Sequence, residues 1–217
     1  MTELVFILDK SGSMAGLESD TIGGFNAMIK KQQKETEGAA LVSTILFDDE
    51  SQVLHDRIPL ADVKPLTEED YFVGGCTALL DAVGDALKHI KNIHRYARTE
   101  DRPTKTIFII TTDGEENSSE RFTYKQVKQL IEAQKELGWE FIFLGANIDA
   151  PEVAEHLGID RRRAVNYHAD KLGTDKVYGA MSNFVSFAMS APSASVPLDD
   201  SWREDLDKDF RARKKKK

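Results

Sequence analysis

The chain carries a single cysteine, Cys76, among 217 residues. It cannot close an internal disulfide, so neither a disulfide scaffold nor a cysteine-based zinc site is open to it. Five histidines, His55, His89, His94, His156 and His168, share no metal-ligand spacing and read as surface or hydrogen-bonded side chains. Long apolar runs are missing as well. Leu4–Leu8 and Ile107–Ile110 fall far short of the roughly 20 residues that cross a bilayer as a helix. Met1-Thr2-Glu3 puts no basic segment ahead of an apolar one, so no signal peptide is expected and the expected location is the cytoplasm. The sequon at Asn117-Ser118-Ser119 is idle in that compartment. There is no Gly-x-x-x-x-Gly-Lys-[Ser/Thr] loop for a nucleotide, and no Gly-x-Ser-x-Gly with a matched histidine for a serine hydrolase.

What the chain does have is enough apolar content for a core. Apolar residues make up 41% and charged residues 30%, which excludes wholesale disorder and fits one sizeable domain. The net charge is −8, unevenly spread: Arg211–Lys217 holds six positive charges, leaving −14 on residues 1–210. An acidic body repels a phosphate backbone, so nucleic acid is a poor partner except through that basic end. Residues 191–201, rich in Ser, Pro, Ala and Asp, read as a linker. The expected division is a folded domain over 1–190 and a linker with a basic, mobile tail over 191–217, although Trp202 and Phe210 offer apolar groups that can dock.

Four continuous apolar runs, residues 4–8, 41–47, 106–110 and 141–144, predict strands covered on both faces, as in the middle of a largely parallel sheet. Helical periodicity lies between them. Ile22, Phe25, Ile29 and Gln33 share one face, and Leu79, Val83, Ala86, Leu87, Ile90 and Ile93 form a clear stripe. Val127, Leu130, Ile131 and Gln134 form another, with Gly138 as its stop. Pro151 opens a short helix that Gly158 ends, and Val177–Ala188 marks a last one. The turn-length Asp48-Asp49-Glu50-Ser51 makes residues 52–58 an antiparallel edge strand. The predicted fold class is α/β: a doubly wound, mostly parallel six-stranded sheet with one antiparallel edge strand.

Ligands bind beyond the carboxyl ends of the strands in such sheets. The segments there are Asp9-Lys10-Ser11-Gly12-Ser13, Asp48-Asp49, Thr111-Thr112-Asp113-Gly114 and Gly145–Asp149. One edge thus gathers carboxylates and hydroxyls without His or Cys, a donor set suited to a hard cation. Asp9, Ser11 and Ser13 stand at alternate positions of one loop and can turn three oxygens to one point, with Gly12 letting the backbone bend. Thr77, after Gly74-Gly75-Cys76, adds a hydroxyl at a helix start, and Asp113 adds a second carboxylate. Two negative charges balance a divalent ion and leave it short of one anionic ligand.

These segments resemble the von Willebrand factor A domain and its metal-ion-dependent adhesion site (MIDAS). Asp-x-Ser-x-Ser at 9–13, Gly-x-Thr at 75–77 and Thr-Asp-Gly at 112–114 match the family's three loops in order and spacing, over about residues 3–190. Gly-Gly-x-Thr-Ala-Leu-x-Asp-Ala at 74–82 is most similar to intracellular bacterial members. The resemblance implies a Rossmann-like sheet. It implies Mg²⁺, with Mn²⁺ or Ca²⁺ as alternatives, bound directly by Ser11 and Ser13, directly or through water by Thr77, and mostly through water by Asp9 and Asp113. It also implies a partner protein that completes the shell with an Asp or Glu.

Plainer roles stand beside these. Asp9 and Ser11 alone read equally well as loop ties. Asp81 reads as a structural hydrogen-bond partner, Asp48, Asp49, Glu115 and Glu116 as a solvated rim, Lys10 and Met14 as surface filler, and Cys76 as a small packed residue. Three functions compete: a non-enzymatic, metal-dependent protein-binding module; a metal-dependent phosphohydrolase using Asp9; and a stress-response accessory subunit of an ATPase or kinase complex. The hydrolase wants a second aspartate where Ser11 stands, and no nucleophile–base pair is present, so the expected protein is not an enzyme.

Overall fold

The computed structural model describes residues 1–35, 39–191 and 200–214. Its strands are β1 (Thr2–Asp9), β2 (Ala40–Phe47), β3 (Ser51–Pro59), β4 (Lys105–Thr112), β5 (Glu140–Ala146) and β6 (Ala164–Tyr167). Its helices are α1 (Glu18–Glu35), α2 (Leu79–Tyr96), α3 (Tyr124–Lys135), α4 (Ala150–His156), α5 (Lys171–Ser190) and α6 (Glu204–Lys214). The strands form one sheet in the order β3-β2-β1-β4-β5-β6, parallel throughout except for the β2–β3 hairpin. The expected architecture is therefore present, with its antiparallel edge strand in place. Among the described residues no helix is long and apolar enough to cross a membrane.

The continuous apolar runs have a direct cause. All eight residues of β1 and of β4 are buried, because helices cover both faces of the sheet. Leu4, Phe6 and Leu8 point into one core with Phe25 of α1 and Phe184 of α5. Val5 and Ile7 point into the other, with Val83, Leu87 and Ile90 of α2 and Val127 and Ile131 of α3. On α1 the buried face holds Gln32, whose amide reaches Ser182 and Ser186 on α5, while Gln33 is exposed. Glu3 breaks the apolar pattern of β1. It is fully buried and held by Arg57 Nε at 2.5 Å and His94 Nε2 at 2.6 Å, the partners a buried carboxylate requires.

The mobile tail expected over 191–217 is overturned for residues 200–214, where the structure has a short turn and α6. Trp202 and Leu206 are buried in the first core, and the Phe210 ring stacks on His168 at 4.8 Å between centroids. The mixed charges that suggested mobility form pairs four residues apart, Arg203–Asp207, Glu204–Lys208 and Asp209–Arg213. Trp202, Leu206 and Phe210 carry the same spacing on the docking face. Residues 192–199 and 215–217 of that expectation lie outside the described residues.

Chain connections leave β1 toward β2 on one side and return to β4 on the other. The carboxyl ends of β1 and β4 therefore border the point where the winding direction reverses, and the loops after them open there.

Candidate metal centre

Asp9 is the last residue of β1 and is 1% exposed. Its Oδ1 accepts the Ser11 N–H at 2.7 Å, which folds the loop back at once. Its Oδ2 accepts the Thr112 hydroxyl at 2.6 Å, which ties the ends of β1 and β4 together. Residues Gly12–Met14 make one 3-10 turn, and this brings Ser11 Oγ and Ser13 Oγ to 3.0 Å. The Ser13 hydroxyl donates to Asp113 Oδ1. A chain of polar contacts thus joins Asp9, Ser11, Ser13 and Asp113.

Thr77 arrives from the second loop. Gly12 N–H donates to the Gly75 carbonyl at 3.1 Å, and Gly74 N–H to the Lys10 carbonyl at 3.0 Å, so the first two loops lie against each other. Gly75 holds φ +67°, a conformation that glycine adopts without strain. Asn117 then fixes Thr77 from both sides: its Oδ1 accepts the Thr77 N–H at 2.9 Å and its own N–H donates to the Thr77 carbonyl at 3.1 Å. Gly114 shows where the third loop meets the others. A Cβ there would lie 3.2 Å from Thr77 Oγ1 and 3.3 Å from Ser13 Oγ, so both hydroxyls border the space beside its bare backbone.

The electrostatics favour a cation. Burial pushes the carboxyl of Asp9 above its ordinary range, against the opposing hydrogen bonds from Ser11 and Thr112. Burial also raises Asp113; the Ser13 hydroxyl offsets part of this and the like charge of Asp9 adds to it. Asp113 Oδ2 is buried and has no hydrogen-bond partner among the described residues. A buried carboxylate oxygen without a donor is costly and calls for a ligand. The lysine of the first loop does not serve: Lys10 Nζ lies 2.5 Å from Asp48 Oδ2 and 5.1 Å from the Phe72 ring centroid. Among the described residues no three His, Cys, Asp or Glu side chains form a metal cage, so an ion here has to draw on hydroxyls. The donor set fits a hard divalent ion: two carboxylates and three hydroxyls, at least one oxygen of them orphaned.

Several neighbours differ from expectation. Lys10 and Met14 are buried, not surface filler; the 3-10 turn folds Met14 inward and Asp48 anchors Lys10. Cys76 is exposed rather than packed, because its loop is held by backbone contacts and by Asp49, whose Oδ1 accepts the Cys76 N–H at 2.9 Å. Glu116 belongs to no solvated rim, since it accepts the N–H groups of Leu80, Ser118 and Ser119. Asp48 is half-buried and tied to Lys10, whereas Asp49 and Glu115 are exposed as expected, Asp49 accepting the Cys76 N–H as well. Asp81 has the structural role expected, accepting the N–H groups of Glu120, Arg121 and Phe122. Thr112 belongs to the Thr-Asp-Gly segment read from the sequence, with no role assigned to it; Asn117 and Tyr71 were not expected at the site. The Tyr71 hydroxyl donates to the Asp9 carbonyl at 2.5 Å. Neither Asn117 nor Tyr71 carries a local signal, because each meets the site through the packing of separate loops.

No protein-family model and no curated protein matches the sequence. Solved structures do. The von Willebrand factor domain of the type V pili tip protein Mfa5 from Porphyromonas gingivalis is 12% identical, with a TM-score of 0.62 over 89% of this chain and 98% of that one. The PilB minor pilin from Streptococcus sanguinis is 11% identical, with a TM-score of 0.61 over 88% and 63%. Proximal thread matrix protein 1 from the mussel byssus, in a structure with a zinc-occupied MIDAS motif, is 13% identical, with a TM-score of 0.56 over 85% and 46%. This chain spans less than half the length of that last protein. At these identities the likeness establishes the fold, and the chain has the von Willebrand factor A fold.

Proposed function

We propose that this von Willebrand factor A fold serves as a metal-dependent protein-binding module. Asp9, Ser11, Ser13, Thr77 and Asp113 would hold one divalent cation, Mg²⁺ in the first instance with Mn²⁺ or Ca²⁺ as alternatives. When bound, the ion supplies a Lewis-acidic position for a carboxylate of a partner protein. The observation that carries this reading is the orphaned, buried Asp113 Oδ2, on a carboxylate that the Ser13 hydroxyl reaches and next to Gly114, whose bare backbone borders the Thr77 and Ser13 hydroxyls. The zinc-occupied MIDAS of the byssus protein supports a divalent ion on this fold.

Binding is favoured over catalysis by the state of Asp9. Both its oxygens already accept hydrogen bonds, from Ser11 N–H and the Thr112 hydroxyl, and the side chain is almost fully buried. That arrangement holds the carboxylate as a fixed acceptor and does not present it for in-line attack. The base that a hydroxyl of the ligand set meets is Asp113, which accepts from Ser13 and is itself a proposed metal ligand, so it would be occupied by the ion rather than free to take a proton.

The reading is tested by thermal unfolding with Mg²⁺ or Mn²⁺ and with EDTA. At a hundredfold excess over Kd, binding to the folded state alone adds about 2.7 kcal/mol. For a domain of this size that is about 5–11 °C. Ser11→Ala combined with Ser13→Ala should lose the shift while keeping the melting point in EDTA. A shift of the same size in the double variant would exclude these ligands.

A further inference from the structure

β3 is the outermost strand of the sheet, paired only with β2. Its third residue, Val53, is 54% exposed. Between this strand and α2 lies an apolar groove of about 180 Å³, floored by Ile45 and Val53 and walled by Ala86 and Ile90. Past Ser51 and Asp85, which line both, it opens into a wider trench of about 660 Å³ that includes Glu50 and Glu120. The guanidinium here is already paired: Arg121 bridges Asp81 at 3.2 Å and Asp85 at 2.5 Å, while the His89 ring lies 2.9 Å from Asp56. One guanidinium against two carboxylates leaves negative charge over, and Glu50 and Glu120 add to it.

We propose that the β3–α2 groove is a second docking site, which takes an apolar side chain of a partner protein flanked on both sides by lysine or arginine. Ser51, Val53 and Asp56 all line the groove, so its apolar floor lies between acidic ends, Glu50 above and Asp56 below. A partner segment with a cation, an apolar residue and a cation at alternating positions matches that order of chemistry. The opposing charges supply steering and register, and the apolar side chain supplies the buried area. Side chains carry the contact. The β2–β3 pairing is irregular between Val42 and Ile45, and Arg57 sits at φ +51°, so β3 offers no long flat edge for adding a strand. No metal-centre residue lines the groove, so this site stands apart from the function proposed above.

The test uses the full chain in EDTA, with ¹⁵N-labelled amides followed during titration with a capped peptide, Thr-Lys-Thr-Val-Thr-Lys-Thr. Its counterpart carries glutamate in place of lysine. Saturable shifts confined to residues 51–56 and 82–90 are expected with the lysine peptide, and none with the glutamate peptide. Val53→Arg, at an exposed position, should abolish binding with an unchanged melting temperature. Asp56→Lys should weaken it about twofold to fivefold, the range of an exposed charge pair. The proposal is overturned by absent shifts at millimolar peptide, by shifts that map elsewhere, or by equal binding of the glutamate peptide. It is equally overturned if Val53→Arg binds as wild type. Concentration-dependent shifts of the same amides without peptide would make the occupant a second copy of this chain and refute the basic partner.

Discussion

Removal of the Asp81 carboxylate should unfasten the loop after β4 from α2, and its cost can be worked from the contacts. The side chain accepts backbone N–H groups from Glu120 at 3.1 Å, Arg121 at 2.9 Å and Phe122 at 2.9 Å, and Arg121 Nε at 3.2 Å. Burial pushes its carboxyl upward, but these donors together outweigh burial and hold it below the ordinary carboxylate range. A hydrogen bond to a charged acceptor contributes about 1.5–3 kcal/mol. Bonds that share one carboxylate are not additive, so Asp81→Ala should cost about 3–4 kcal/mol rather than the sum. In a chain of this length that is about 6–16 °C of melting temperature. Asp81→Asn keeps one acceptor oxygen and should lose about half as much. The pH dependence has a definite sign. A folded carboxyl below its unfolded value of about 3.9 contributes fully above that value and loses its contribution as pH falls through the folded value. Urea unfolding of wild type and Asp81→Ala should therefore differ most at neutral pH and approach each other below about pH 4. A neutral-pH difference under about 1 kcal/mol, or one that stays constant down to pH 3, would refute the role assigned to this residue.

Further outcomes follow from other sites. Gly114→Ala places a methyl against Thr77 Oγ1 and Ser13 Oγ, and should weaken Mg²⁺ binding about tenfold by calorimetry, the equivalent of about 1.4 kcal/mol, with little change in the melting point in EDTA. Trp202→Ala removes a ring that meets Phe184 edge-on at 5.3 Å and should cost about 3–5 kcal/mol in urea; a negligible cost would mean that residues 200–214 do not dock. Cys76, the one thiol and an exposed one, should react fully with a thiol reagent in native buffer, whereas labelling that needs denaturant would contradict its exposure.

The fold was legible in the sequence wherever burial is two-sided. Runs such as Leu4–Leu8 are too short for a buried helix and suit a strand covered on both faces, and Asp48–Ser51 marked the hairpin by its turn length and composition. The candidate ligands were legible because Asp9, Ser11 and Ser13 alternate in a loop that leaves a buried strand, and because Thr77 and Asp113 follow at the next openings of the same edge. The ties around them were not. Whether Lys10 faces water or Asp48, and whether Glu116 is free or caps α2, depends on how separate loops pack, which no local pattern records. The exposure of Cys76 has the same origin: its loop is pinned through the backbone, leaving the thiol outside. The order of the C-terminal segment lies in the period of its charges and not in their number. Its charges pair at four-residue spacing, and its apolar residues share that spacing on the buried face.

A crystal of the chain grown with Mn²⁺, with data collected at the manganese absorption edge, tests the central claim most directly. A single anomalous peak is expected among the loops after β1, before α2 and after β4, with Ser11 Oγ and Ser13 Oγ within coordination distance and Asp9, Thr77 and Asp113 around it. No peak there at saturating Mn²⁺, or a peak held by other residues, would contradict the account.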